Sequence, residues 1–228
     1  MVGVSSREAK NSLFDAFAEV AKALGSGRRA EIVDVLAQGE RSVDELASEI
    51  EQTVANTSHH LQALMRAGLL TSRRDGTRVF YALASDRVSE LWAALRGVAA
   101  EHVAGIERLT TAYLGDRRDL ESITRDQLAA RLRRRNVVVI DVRPEAEFTA
   151  GHIPGARSVP PDEVRQRLRA ISKNSEVVAY CRGPFCVYAD DVVRALHRRG
   201  IGARRLEDGF PEWKRAGHEI AVGEGGGA

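Results

Sequence analysis

The stretch VVAYCRGPFCVYADDVVRALH, residues 177–197, decides how the second half of this chain folds. Val177 to Tyr180 is a short apolar run that reads as a buried strand, and from Val187 to His197 apolar residues return at helical spacing. Between them lies the loop Cys181-Arg-Gly-Pro-Phe-Cys186. Upstream, Val137 to Ile140 is a second buried strand, and it runs into Asp141-Val-Arg143. Strands alternating with helices predict an α/β domain with a mostly parallel sheet. In such sheets functional groups gather beyond the carboxyl ends of the strands, where both Asp141 and Cys181 fall. A thiol held there over backbone N–H groups, at the start of a helix, has a lowered pKa and becomes a nucleophile. Thiolates attack sulfane sulfur, and the same donors would stabilise the persulfide anion, with Arg182 as an extra cation.

Working outward, 228 residues suit two domains of roughly 100 each. Apolar residues at 43% and charged residues at 29% exclude collagen-like, coiled-coil and wholly disordered chains. No apolar run approaches the ~20 residues of a membrane-spanning helix, and residues 1–17 lack the basic-then-apolar order of a signal peptide. The expectation is a cytoplasmic protein without membrane contact. Cys181 and Cys186 are the only cysteines, too few for a disulfide framework and too close together to staple a fold, so they read as chemistry. Cys186 has two readings. One is a small residue packed at the first turn of the helix. The other is a resolving thiol that attacks a persulfide on Cys181 and closes a bridge, which needs Cα atoms no more than about 7 Å apart.

The first half is helical. Leu13, Phe14, Phe17, Val20, Ala21 and Leu24 fall at helical spacing up to the stop at Gly25-Ser-Gly27, and Arg28 to Ala37 repeats the pattern. Ser42 with Glu45 three positions on forms a capping-box pattern, so residues 43–50 read as a short helix. After Glu51-Gln-Thr53, residues 54–67 carry an apolar edge of Leu61, Leu64 and Met65 and a polar face of Asn56, Thr57, Ser58, His59, His60 and Gln62. Two helices joined by a tight turn, the second rich in hydrogen-bonding side chains, is the arrangement that enters a DNA major groove. Strand-like residues on both sides of Asp75-Gly76 predict a hairpin with Arg73, Arg74 and Arg78 at its tip, a wing that can grip phosphates. Net charge is +2, and residues 1–118 hold 15 basic against 16 acidic side chains, so double-stranded DNA must be met by a local patch.

Val43-Asp-Glu-Leu-Ala47, Thr57-Ser-His-His-Leu-Gln-Ala-Leu64, Ala67-Gly-Leu-Leu70 and the Asp75-Gly76 wing together resemble the ArsR family of bacterial winged-helix repressors. The resemblance spans roughly residues 10–113 and implies a homodimer paired through its first and last helices. The last is expected from Asp86 to Leu114, with Val88, Leu91, Trp92, Leu95, Val98 and Val103 along it. Relatives sense metals on that helix, but here Val88 and Ala99 stand between Asp86 and His102, and two ligands of four hold zinc poorly. Neither a metal site nor a cofactor is expected.

Asp141-Val-Arg-Pro-Glu-Ala-Glu-Phe-Thr-Ala-Gly-His-Ile-Pro-Gly-Ala156, Tyr180-Cys-Arg-Gly183 and Glu207-Asp-Gly-Phe-Pro-Glu-Trp-Lys-Arg-Ala-Gly217 resemble the rhodanese domain. The resemblance makes Cys181 the persulfide-forming residue and gives Asp141, Arg143, Glu147 and His152 supporting roles around the loop. Trp213 is expected in the core. Many active rhodaneses carry a cation at the sixth loop position, where this chain has Cys186, so ordinary thiosulfate turnover is not expected. Phosphatases and arsenate reductases of related fold need an arginine six positions after the cysteine, where this chain has Val187.

The sequence therefore predicts an α+β winged helix-turn-helix domain over 1–114, a linker over 115–122, an α/β rhodanese-like domain over 123–222 and a tail over 223–228. The cluster from Arg131 to Arg135 reads as a solvated helix face. The functional expectation is a homodimeric DNA-binding repressor whose site, Cys181, Arg182, Cys186, Asp141 and Arg143, senses or handles reactive sulfur. A sulfurtransferase with an accessory DNA-binding domain, and a metal- or arsenic-responsive repressor, are the alternatives.

Overall fold

The computed structural model describes residues 5–134 and 137–223. Arg135 and residues 224–228 of the expected tail lie outside them. The chain forms two compact units, one up to Gly97 and one from Val98.

In the first unit, α1 (Ser6–Leu24) and α2 (Gly27–Leu36) precede the two-residue strand β1 (Arg41–Ser42). Helix α3 (Val43–Glu49) starts on the capping box read from sequence. The Ser42 hydroxyl accepts from Glu45 N at 3.3 Å, and the Glu45 carboxylate accepts from Ser42 N at 2.7 Å. Helix α4 (Val54–Arg66) is capped by Thr53, whose hydroxyl accepts from Asn56 N. The hairpin follows as β2 (Leu70–Asp75) and β3 (Arg78–Leu83), paired in register from Leu70–Leu83 to Asp75–Arg78. Gly76 takes a φ of 58° at the first turn position, a conformation that glycine adopts without steric cost. Ile32, Val33, Leu46, Ile50, Leu61, Leu64 and Leu70 pack into one apolar core that holds α4 against α2 and α3.

The expected last helix is two helices. Helix α5 (Asp86–His102) ends before Gly105, which sits at φ 87°, and α6 (Ile106–Leu114) begins there. An uninterrupted helix cannot hold that left-handed backbone, so the stripe stays on α5, with Val103 just past its end, and does not continue onto α6.

The second unit holds a five-stranded parallel sheet in the order β4 (Ser122–Ile123), β8 (Ala203–Leu206), β7 (Val177–Tyr180), β5 (Val138–Asp141), β6 (Arg157–Ser158). Helices α7 (Arg125–Arg134), α8 (Glu145–Ala150), α9 (Val164–Arg167), α10 (Tyr188–His197) and α11 (Phe210–Arg215) complete it. Alternation along the strands makes two cores. Ile140, Val177, Ala179 and Cys181 pack with Val192, Val193 and Leu196 of α10, whereas Val139, Val178 and Tyr180 pack with Leu128, Phe148, Phe210 and Trp213. Residues 115–120, expected as a linker, are bonded into this unit: Leu120 is buried in the core that contains Cys181.

Candidate functional site

Strand β7 ends at Tyr180 and delivers Cys181 to the rim of the sheet, 2% exposed. The loop turns back on itself through Cys186 N, which donates to the Gly183 carbonyl at 3.2 Å. Cys186 comes to a Cα–Cα distance of 6.2 Å from Cys181, and the two sulfurs are bonded. Cys186 is thus bridged to Cys181 and also packs against the core that contains it.

A second segment walls the loop. The Cys181 carbonyl accepts from Phe210 N at 3.1 Å, and a Cβ on Gly209 would come within 3 Å of the Arg182 and Gly183 backbone. Only glycine allows that approach. The Gly209 motif was read in sequence, but its contact with the loop was not, because the touching segments lie more than 20 residues apart.

Three other predicted site residues are not open to a ligand. Asp141 and Arg143 are both 0% exposed and form a closed pair, Arg143 Nη2 to Asp141 Oδ2 at 2.6 Å and Nε to Oδ1 at 3.0 Å. Arg143 also donates to the Gly151 carbonyl and lies over the Phe210 ring at 4.2 Å. Burial opposes its charge, but the Asp141 carboxylate, by charge and hydrogen bond, together with Tyr180 and Glu147, raises its pKa. The pair ties the end of β5 to α8 and to the wall, a supporting place around the loop rather than one open to a reacting group. Arg182 turns its guanidinium to the buried Glu147 carboxylate, 2.6 Å away, so its charge is matched within the fold. His152 is packed as expected: its ring stacks on Phe148 at 3.8 Å and its Nδ1 meets the Phe148 carbonyl. Trp213 is in the core.

The polar face of α4 divides as well. Asn56, His59 and Gln62 are exposed and Ser58 is half-buried. Thr57 is 0% exposed, with its hydroxyl donated to the Thr53 carbonyl at 3.0 Å, so it belongs to the seam of Leu61 and Leu64 and is corrected out of the groove-facing set. His60 is half-buried, and burial followed by the nearby Arg29 charge lowers its pKa. Arg66 was missed; it is exposed, and its spacing from His59 and Gln62 was the available signal. On the wing, Arg74 and Arg78 are exposed. Arg73 instead pairs with Glu40 and Asp75 and lies over Phe80, and it holds the Glu40 carboxyl below its usual range.

Among the described residues no group of three or more His, Cys, Asp and Glu could hold a metal, and no helix is long and apolar enough to cross a membrane.

Residues 26–72 match the bacterial regulatory protein, arsR family, and residues 124–216 match the rhodanese-like domain family. Over 225 residues the chain is 43% identical to the HTH-type transcriptional regulator Rv0324 of Mycobacterium tuberculosis, covering 99% of this chain and 97% of that protein. The chain belongs to the ArsR family of transcriptional regulators. This ArsR-family chain carries a C-terminal rhodanese-like domain, as its sequence motifs predicted. Among solved structures it is similar to the homodimeric winged helix-turn-helix DNA-binding domain Mb0332 of Mycobacterium bovis, at 45% identity over 45% of this chain and 94% of that one, TM-score 0.40. It is also similar to a rhodanese-like domain protein of Staphylococcus aureus, at 32% identity over 46% and 100%, TM-score 0.41.

Proposed function

We propose that this ArsR-family regulator is a homodimeric repressor whose rhodanese-like half responds to reactive sulfur and weakens operator binding when its thiols are oxidised. The observation that carries the reading is the Cys181–Cys186 bond at the end of a sheet strand, in a chain whose other half reads DNA. In the dithiol form the Cys181 thiolate attacks a sulfane sulfur of a polysulfide. A new S–S bond forms, the chain-shortened polysulfide leaves, and Cys181 becomes a persulfide. The Cys186 thiolate then attacks Cys181 Sγ and expels hydrosulfide. The balance is two thiols oxidised by two electrons, one sulfane sulfur reduced to sulfide, and two protons released to solvent or to the leaving sulfide.

On the DNA side, Asn56, His59, Gln62 and Arg66 form the groove-facing row, and Arg74 and Arg78 of the wing meet phosphate. Exposed Leu13, Phe14 and Phe17 on α1, and Leu91 and Leu95 on α5, are surfaces that a second copy would cover.

The test is operator affinity, by fluorescence anisotropy, for the reduced wild type, Cys181→Ser and Cys186→Ser with and without polysulfide. The wild type should lose roughly tenfold in affinity, within the usual range of coupling between two sites. Cys181→Ser should lose nothing. Equal affinities throughout would sink the proposal. Steady sulfur transfer to a thiol acceptor with unchanged affinity would make the domain an enzyme instead.

A further inference from the structure

Residues 115–120, between α6 and β4, grip the thiol loop from beneath. The Arg117 guanidinium donates to the carbonyls of Pro184 at 2.7 Å and Cys186 at 3.0 Å, and to the Asp190 carboxylate in the first turn of α10. Asp190 is 1% exposed, and its second oxygen faces Arg205 Nε at 4.0 Å. The grip is reinforced from both sides: Arg194 of α10 donates to the Asp116 carbonyl at 2.7 Å, and Leu120 is buried among the residues that pack Cys181.

The two thiols are therefore held by different means. Cys181 follows directly from a fully buried strand. Cys186 stands in irregular backbone, and two carbonyls of its arm, its own and that of Pro184, are fixed by one side chain from the segment that leads back through α6 to α5.

We infer that Arg117 is a positioning residue that keeps Cys186 within bonding reach of Cys181, and that the 115–120 segment thereby registers whether the Cys181–Cys186 bond is made. The inference rests on the sulfur-responsive reading above. Its physical content is linkage: if docking of the segment favours the bond, the bond favours docking by the same factor. Opening the bond takes two electrons and two protons from a thiol reductant such as glutathione, which is itself oxidised to a disulfide. Cys186 is then released from Cys181, and the two carbonyls that Arg117 holds are free to leave it.

The full chain equilibrated in mixtures of reduced and oxidised glutathione, quenched by alkylation and weighed by mass spectrometry, gives the constant for forming the bond. Arg117→Gln should lower that constant about tenfold, equivalent to about 30 mV toward easier reduction. Arg117→Lys should fail to restore it, because an ammonium is a point charge and cannot span two carbonyls and a carboxylate. A purely structural role would lower the unfolding temperature and leave the constant unchanged.

Tryptic cleavage after Arg118, whose side chain is 91% exposed, supplies the reciprocal measurement in the wild-type chain. Cleavage should be several-fold faster in the dithiol form than in the bonded form, and Cys186→Ser should cleave at the dithiol rate. Should Arg117→Gln fail to fold, this comparison decides alone. An unchanged constant in a folded glutamine variant, or equal cleavage rates in the two forms, overturns the inference. Operator affinity that ignores polysulfide while the constant and the cleavage rates both shift would sink only the regulatory reading.

Discussion

The two units treat buried polarity in opposite ways. Among the described residues, the buried polar side chains of the winged-helix unit are Gln38, Ser42, Thr57 and Ser89, all uncharged, while those of the rhodanese-like unit are Asp141, Arg143, Glu147, His152, Asp190 and Glu212. The difference follows what each unit must hold still. A recognition helix is rigid by its own backbone bonds and needs only an apolar seam under it, which leaves its charges free for the surface. A thiol loop is irregular backbone with few internal partners, and here the strand ends and helix starts around it are tied by buried ion pairs.

The sharpest way to break this comparison is to remove one partner of a buried pair. Arg143→Met leaves Asp141 charged and uncompensated, and should destabilise the rhodanese-like unit by about 3–5 kcal/mol in denaturant unfolding, without moving the winged-helix transition. A loss below about 1 kcal/mol would mean that the pair does not scaffold the loop. A smaller effect is expected on the other side. Replacing Arg74 and Arg78 together by Gln should leave stability nearly unchanged. It should flatten the salt dependence of operator affinity by nearly two units of slope, about 0.9 per phosphate contact. An unaltered slope would take the wing off the DNA.

The smallest effect is the pH response of His60. Burial makes the folded chain bind the His60 proton more weakly than the unfolded chain does. The stability tied to neutral His60 is therefore full above the ordinary value of 6.5, and is lost as pH falls through the lower folded value. Proton NMR should place its titration below 6.5, and His60→Gln should reduce the fall in the unfolding midpoint between pH 7.5 and 5. A His60 midpoint at or above 6.5 would refute the burial argument.

Local chemistry was legible in the sequence. The Ser42–Glu45 capping box, the Asp75-Gly76 hairpin and the strand ends at Asp141 and Cys181 all depend on residues a few positions apart, and each formed as expected. Thr57 was misread because a threonine on a polar face looks like a groove donor, until its hydroxyl is seen returning to the Thr53 carbonyl. The break at Gly105 had its signal in the glycine itself, but the expected helix was carried through it to Leu114. Arg117 and Arg182 were beyond reach for a different reason. Their partners stand 35 to 73 positions away, and no periodicity carries information over that span.

Gly209 gives the thiol loop a property that the CRGPFC stretch does not own. The carbonyl of Cys181 is satisfied by Phe210, and the peptide from Arg182 to Gly183 rests against a residue whose value is its missing side chain. Both residues follow β8, nearly 30 positions after the first cysteine. During synthesis, a chain that has released its two cysteines but not residues 203–215 has the thiols without the wall that shapes their loop. The spacing of the pair is written in one stretch of sequence, and its geometry is completed by another nearly 30 positions later.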